Sequence, residues 1–377
     1  MRIAFIGQKG IPVSQGGVER HVEELSCALA KRGHEVLAYS RSTYLIGDAK
    51  LPQGVKVVTL PSIPVKAWDT IIATLFATID VLFRKVDVIH YHSLGPAFFM
   101  FLPWFLKPST TLVFTHHTYE TQRPQWGPLA RFAMRCGEAV GMALADEVVA
   151  ISPVVAMDLE AIYRRHVSMV PNGFTNLPVH AITHPVLPEK YILAVSRLIR
   201  SKGLDFLINA FHLIEKDFPN YHLVIVGSAT HNDSDEARLR SLANGSHRIH
   251  FLGWQPSSKL GAIYRGASLF VQPSEIEGLP MTLLEAATTG VPIIVSDIPE
   301  HMLIVRADAP SFKSKHHLDL ASKLRLVLGN EEKYRERSAL LAERVIRDFD
   351  WQYIAKRIEN IYMNSAERRK LMVQKLA

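Results

Sequence analysis

The stretch RIAFIGQKGIPVSQGGVERHVEELSCALAKRGHEVLAYS, Arg2 to Ser40, sets the architecture of the chain. Arg2 to Ile6 is a short apolar run closed by Gly7, the pattern of a buried strand. A glycine-rich stretch leads into Val18 to Arg32, where Val22, Leu25 and Leu29 recur at helical spacing. The helix stops at Gly33, and HEVLAYS resumes as a strand. Short loops around one helix make the two strands parallel neighbours.

Outward from there the pattern repeats. Val55 to Leu60, Val86 to Tyr91, Thr111 to Thr115 and Glu147 to Ile151 read as strands. Helical stretches near Asp69 to Arg84 and Leu129 to Ala145 separate them. Asn176 to Lys190 is polar, carries prolines and lacks periodicity, so it reads as a linker. A second series of strands follows: Tyr191 to Val195, Leu223 to Val226, Ile249 to Phe251, Leu269 to Val271 and Pro292 to Val295. Its helices are Leu204 to Lys216, Glu236 to Ala243, Lys259 to Ala267 and Met281 to Thr289. The fold expected is α/β, with two Rossmann-like, doubly wound parallel-sheet domains. With 377 residues, the chain exceeds what one core usually serves. The first domain is expected over residues 1–175, the second over 176–350, and a helix crossing back to the first over 351–377. Ligands of open parallel sheets bind beyond the carboxyl ends of the strands, so two such domains predict a cleft between them.

Composition narrows the class without naming a ligand. Hydrophobic residues at 48% and charged residues at 21% are ordinary for a soluble globular enzyme. The net charge of +7 suits an anionic ligand or an anionic membrane, and identifies neither. Cys27 and Cys136 lack metal-ligand spacing and read as core residues of a reducing compartment. The N-terminus enters a strand directly, without a signal-peptide layout. No apolar run approaches the roughly 18–20 residues that cross a bilayer. A cytoplasmic chain is expected, soluble or peripheral at the inner face of the membrane. Ala67 to Lys85 and Pro96 to Lys107 are rich in aromatic and aliphatic residues and end in cations. They read either as buried helices or as a surface resting on anionic lipid. Ala366 to Lys375 reads as a solvated helix end, and no interleaving of basic and aromatic residues suggests nucleic acid.

The chemistry concentrates in PSEIEGLPMTLLEAATTGVP, Pro273 to Pro292. This stretch follows a strand and opens a helix near Pro280, with proline at its first position. The N–H groups of Met281 and Thr282, with the helix dipole, make an anion site. At about 1.5 Å per residue, Pro280 to Glu285 spans roughly 8 Å. Glu277 and Glu285 are thus no proton-sharing dyad, and suit two separate polar parts of one extended ligand. Two isolated glutamates at this spacing would read as surface or capping residues. The intervening glycine and proline, with the preceding strand, favour the ligand.

EGLPMTLLEAATTGVP resembles the signature of the GT-B family-four retaining glycosyltransferases, the glycosyl transferases of group 1. GGVE at Gly16 to Glu19, GHEV at Gly33 to Val36 and VPNG at Val170 to Gly173 agree in order. So do SRLIRSKG at Ser196 to Gly203 and FLGW at Phe251 to Trp254. The resemblance implies retaining transfer from a nucleotide-diphosphate sugar to a glycan or lipid-linked acceptor in surface polysaccharide assembly. No cofactor and no metal are expected, since Arg197 and Lys202 would neutralise the diphosphate. Glu277 would hold the donor sugar and Glu285 the ribose. Gly278, Leu279, Pro280, Met281 and Thr282 complete the donor site, over which the Gly16–Gly17 loop would close. In FTHHTYETQRPQWG, Phe114 to Gly127, the resemblance places His117 near the reacting sugar, with Arg123 and Trp126 in register. Thr118 stands where the family has glycine, and His116 is an extra neighbour. Glu19, His92, His116 and Arg123 are read on the acceptor side. The D-x-D triplet Asp233-Ser-Asp235 reads as a helix cap rather than a metal site. Trp351 is expected to pack where the last helix crosses back. A sugar-nucleotide 2-epimerase on the same fold and an inactive sugar-nucleotide-binding protein are the alternatives.

Overall fold

The computed structural model describes residues 1–12, 16–44, 51–62, 66–118, 121, 127–177, 187–229 and 233–376. Its internal contacts form two units, Met1–Gly173 with Trp351–Ala377, and Phe174–Asp350.

The first unit runs β1 (Arg2–Ile6), α1 (Gly17–Lys31), β2 (Glu35–Arg41), β3 (Val55–Leu60), α2 (Lys66–Leu82) and β4 (Val88–His92). It continues with α3 (Leu94–Ala97), α4 (Phe101–Leu106), β5 (Thr111–His116), α5 (Pro128–Leu144), β6 (Glu147–Ala150), α6 (Pro153–Tyr163) and β7 (Ser168–Met169). These strands pair in the order β3-β2-β1-β4-β5-β6-β7, all parallel. Every residue of β4 is buried, as expected of a parallel strand covered on both faces. Ile3 pairs with Val36 on one side and Val88 on the other, which makes β1 a central strand. The strand order reverses between β1 and β4, the place where open sheets leave a crevice at their carboxyl ends.

The second unit runs β8 (Tyr191–Val195), α7 (Leu204–Ile214), β9 (His222–Val226), α8 (Asp233–Ala243), β10 (Ile249–Phe251), α9 (Ser257–Gly266) and β11 (Leu269–Gln272). There follow α10 (Met281–Thr288), β12 (Ile293–Ser296), α11 (Pro299–Val305), β13 (Ser311–Phe312), α12 (His317–Leu328) and α13 (Glu331–Asp348). Its parallel order is β10-β9-β8-β11-β12-β13, reversing between β8 and β11. Leu207, Ile208 and Phe211 of α7 join Leu320 and Leu324 of α12 in the core beside Ile192, Ile225 and Val271.

The last helix, α14 (Trp351–Leu376), belongs to the first unit and packs along α1. Its Ile354, Ile358 and Tyr362 are fully buried, each contributing about 1.5–3 kcal/mol by area. Glu359 accepts from Arg32 and from His34 Nε2 at 2.9 Å. Arg369 donates to Asp146 Oδ1 at 2.8 Å and to Pro108 O at 2.7 Å. Arg369 thus anchors this helix to the first unit, while Glu367, Lys370, Leu371 and Met372 around it are exposed, as the sequence suggests for a solvated helix end.

Other local expectations are corrected. Pro280 is the N-cap of α10, with extended ψ of 109°, so the helix starts one residue later. Asp233-Ser-Asp235 lies in the first turn of α8 instead of preceding it, and Asp235 faces Arg200 at 3.6 Å. Cys27 and Cys136 are only half-buried. In α2, Ala73, Ala77 and Val81 are buried, but Phe83 just beyond it is 87% exposed. Phe105 and Leu106 of α4 are 69% and 63% exposed, so these stretches are not wholly core. No described helix is long and apolar enough to cross a membrane.

Candidate active site

The loops after β8 and β11 leave the switch point of the second sheet together. Arg197 is half-buried just after β8. The chain then turns back, and Glu275 N–H donates to Ser201 O at 2.9 Å. At Gly203, φ is 63° and an added Cβ would lie 2.1 Å from Pro273 O, so this backbone approach requires glycine. The result is that Lys202 Nζ donates to Glu277 Oε1 at 2.5 Å, with side chains only 14% and 9% exposed.

A polar network supports this pair. Gln272 Nε2 donates to Glu277 Oε1 and to Ser274 Oγ, both at 3.1 Å. Thr282 Oγ1 donates to Gln272 Oε1 at 3.2 Å. Ser296 Oγ donates to Ser274 O at 2.5 Å and lies 3.0 Å from His301 Nδ1. Burial pushes the Glu277 carboxyl up; the adjacent Lys202 ammonium is the largest opposing influence, and together with the neighbouring polar groups it holds the carboxyl below its usual range. Burial pushes His301 down to about 4, so it is uncharged at neutral pH. At α10, Leu283 and Leu284 N–H already donate to Pro280 O at 3.2 and 3.3 Å. The N–H groups of Met281 and Thr282 precede those bonds and are the first-turn donors of the helix. Leu279 and Pro280 are buried and Gly278 is half-buried. Glu285 is 4% exposed and accepts from Tyr264 OH at 3.2 Å.

Gln272, Ser274, Tyr264, Ser296 and His301 escape the sequence reading. For Gln272 and Ser296 a signal existed: each is the polar residue that closes an otherwise apolar strand.

In the first unit, Gly16 is the N-cap of α1 with φ 114°, and Gly16 and Gly17 are exposed. Glu19 is 6% exposed and accepts from Lys9 N–H at 3.2 Å, which ties the glycine loop to the helix. The two adjacent histidines part company. His116 ends β5, fully buried, with Nε2 3.4 Å from Glu138 Oε2; Glu138 Oε1 accepts from Tyr163 OH at 2.8 Å. His117 joins a different group, its Nε2 2.9 Å from Nδ1 of the fully buried His92. His21 stands edge-on to His117 with ring centroids 4.8 Å apart. Arg123 and Trp126 lie outside the described residues.

Burial lowers the basicity of all three imidazoles, His21 to about 4 and His92 and His117 well below their ordinary value. Each brings one nitrogen within 4.8 Å of the others, the geometry of a metal trio among the described residues. No carboxylate belongs to the group, and His92 already bonds His117. Ligation of an ion through His92 Nδ1 or His117 Nε2 would break the 2.9 Å hydrogen bond that those two atoms share.

Comparison with known proteins places this arrangement. Residues 15–175 match the family model Glycosyltransferase Family 4, and residues 180–339 match Glycosyl transferases group 1. The glycogen synthase of Mycobacterium tuberculosis is 26% identical over 405 aligned positions, covering 96% of this chain and 94% of the relative. Sucrose-phosphate synthase from Thermosynechococcus elongatus superposes with a TM-score of 0.80 at 22% identity, covering 96% and 98% of the two chains. HepE of Anabaena, solved in complex with UDP-glucose, gives 0.75 at 17% identity, covering 97% and 100%. Likeness at that identity shows the fold alone. With family models matched over most of its length and that fold in both units, the chain belongs to the group 1 glycosyltransferases and adopts the GT-B architecture.

Proposed function

We propose that the chain moves a sugar, with retention and without a metal, from a nucleotide-diphosphate sugar to a glycan or lipid-linked acceptor. The observation that carries this reading is the buried Lys202–Glu277 pair beside the N-terminus of α10. An ammonium, the Arg197 guanidinium and first-turn N–H groups at one switch point suit a diphosphate. Glu277 then accepts from hydroxyls of the donor sugar, and Glu285 from the ribose. His117 hydrogen-bonds the reacting sugar.

In the reaction, the bond from the anomeric carbon to the diphosphate oxygen breaks and its electron pair goes to that oxygen. Arg197 and Lys202 stabilise the charge that develops there, the role a divalent cation plays elsewhere. The acceptor hydroxyl oxygen bonds the anomeric carbon on the same face and gives its proton to the departing phosphate. Surface polysaccharide assembly at the inner face of the membrane is the setting proposed. The exposed Phe83, Phe105 and Leu106, with Lys85 and Lys107 nearby, support contact with anionic lipid.

The test is release of nucleoside diphosphate from a panel of nucleotide-diphosphate sugars, in chelator, with short glycans and lipid-linked sugars as acceptors. One donor should turn over at undiminished rate in chelator, and proton NMR should show a product of unchanged anomeric configuration. Conversion of the donor sugar without an acceptor would point to the epimerase instead.

A further inference from the structure

Four contacts meet at His21. Its Nδ1 lies 2.8 Å from Asn172 Oδ1. An amide oxygen only accepts, so His21 carries its proton on Nδ1 and a lone pair on Nε2. Its ring stands edge-on to His117 and, at 5.5 Å, to Trp351. It also lies 5.4 Å from the His92 ring. Asn172 precedes Gly173, where a Cβ would fall 2.6 Å from the Trp351 indole, so the VPNG turn and Trp351 together wall His21 in.

Two ring nitrogens in this group have no hydrogen-bond partner and are buried: Nε2 of His21 and Nε2 of His92. A buried N–H without an acceptor is rarer than a buried acceptor without a donor. His92 Nε2 is therefore the lone-pair nitrogen, as His21 Nε2 is. His92 then carries its proton on Nδ1 and donates it to His117 Nε2. That leaves the proton of His117 on Nδ1, the nitrogen that no described residue bonds. Burial disfavours the charged form of all three rings, which keeps one proton per ring.

We infer that His21, Asn172 and His92 are positioning residues that hold His117 in one ring orientation and in the Nδ1–H tautomer, so that Nδ1–H is the donor offered to the reacting sugar. This rests on the reading of His117 as the group that meets that sugar. It explains why a polar ring, with an unpaired nitrogen, occupies His21, where a phenylalanine would fill the space without that cost.

The full chain labelled with 15N-histidine tests it by long-range proton–nitrogen correlation, which reads each tautomer without substrate. Wild type should show His21, His92 and His117 all as Nδ1–H. In His21→Phe and Asn172→Ala, His117 should lose that single tautomer, while nucleoside-diphosphate binding stays intact as a check on folding. Turnover of the donor found above should then drop about tenfold or more in kcat with KM for the donor unchanged, the signature of an interaction made in the transition state. His117 found as Nε2–H in wild type overturns the inference, as does wild-type kcat in both variants. Failure of the underlying reading looks different: His117→Phe would itself keep full turnover.

Discussion

Lys202 and Glu277 are 75 positions apart in sequence and 2.5 Å apart in space. Removing the lysine leaves a carboxylate in a poorly solvated place, which costs about 3–5 kcal/mol when a buried pair is broken. Lys202→Ala is expected to lower both the melting temperature and the rate of transfer. Arg197→Ala should cut transfer about a hundredfold or more, the range for a lost charge stabiliser. Steady-state kinetics and calorimetry on each variant separate the two effects. A double change, Lys202→Met with Glu277→Gln, should recover stability without recovering transfer. Near-normal rates in the single variants would remove the electrostatic account. The buried histidines act on pH dependence. His21 and His301 bind a proton near pH 4 when folded and near 6.5 when unfolded. Between those values the unfolded chain holds more protons, so stability falls as pH falls, by up to roughly 3 kcal/mol per ring. Glu277 acts in the same direction at lower pH, because its depressed carboxyl contributes stability that is lost as pH drops through its folded value. Melting temperatures measured from pH 7 to 4 should decline throughout; a flat profile would contradict the uncharged, buried state of these rings.

At the scale of elements, α14 shows how a distant segment completes the first unit. Tyr362 OH lies 2.6 Å from His90 Nδ1, and His90 Nε2 lies 2.6 Å from Thr115 Oγ1. Tyr362→Phe orphans a buried ring nitrogen and should cost about 1–3 kcal/mol. Ile358→Ala should cost about 2–5 kcal/mol through the cavity it leaves. Urea unfolding checks both; losses under 0.5 kcal/mol would mean that α14 is only loosely attached. Legibility in the sequence follows the same physics. The long apolar strands and the βαβ rhythm were readable because parallel strands covered on both faces leave continuous apolar runs. Strands β7 and β13, two residues each, are too short to show any period. Helix α12 did carry a signal, Leu320, Leu324 and Leu328 at four-residue steps, and was not read. Arg197, Lys202 and Glu277 in the loops and Glu285 in α10 were legible because local motifs carry them. His21 and Asn172 were not, since their contact spans 151 positions and no local spacing encodes it.

At the scale of the molecule, charge and surface suggest where the chain works. A net +7, the 87% exposed Phe83 and the exposed apolar end of α4 predict weak, salt-sensitive flotation with vesicles rich in phosphatidylglycerol. Phe83→Ser with Phe105→Ser should abolish it; absence of flotation by wild type would return these side chains to ordinary surface. The central claim is narrower, that the loops after β8 and β11 hold a nucleoside diphosphate through protein cations alone. Calorimetric titration of the purified chain with nucleoside diphosphates, in excess chelator, tests it most directly. One nucleotide should bind, with its affinity untouched by chelator and reduced at least tenfold in Arg197→Ala. Binding that appears only with added divalent metal, or that ignores Arg197→Ala, would contradict the account.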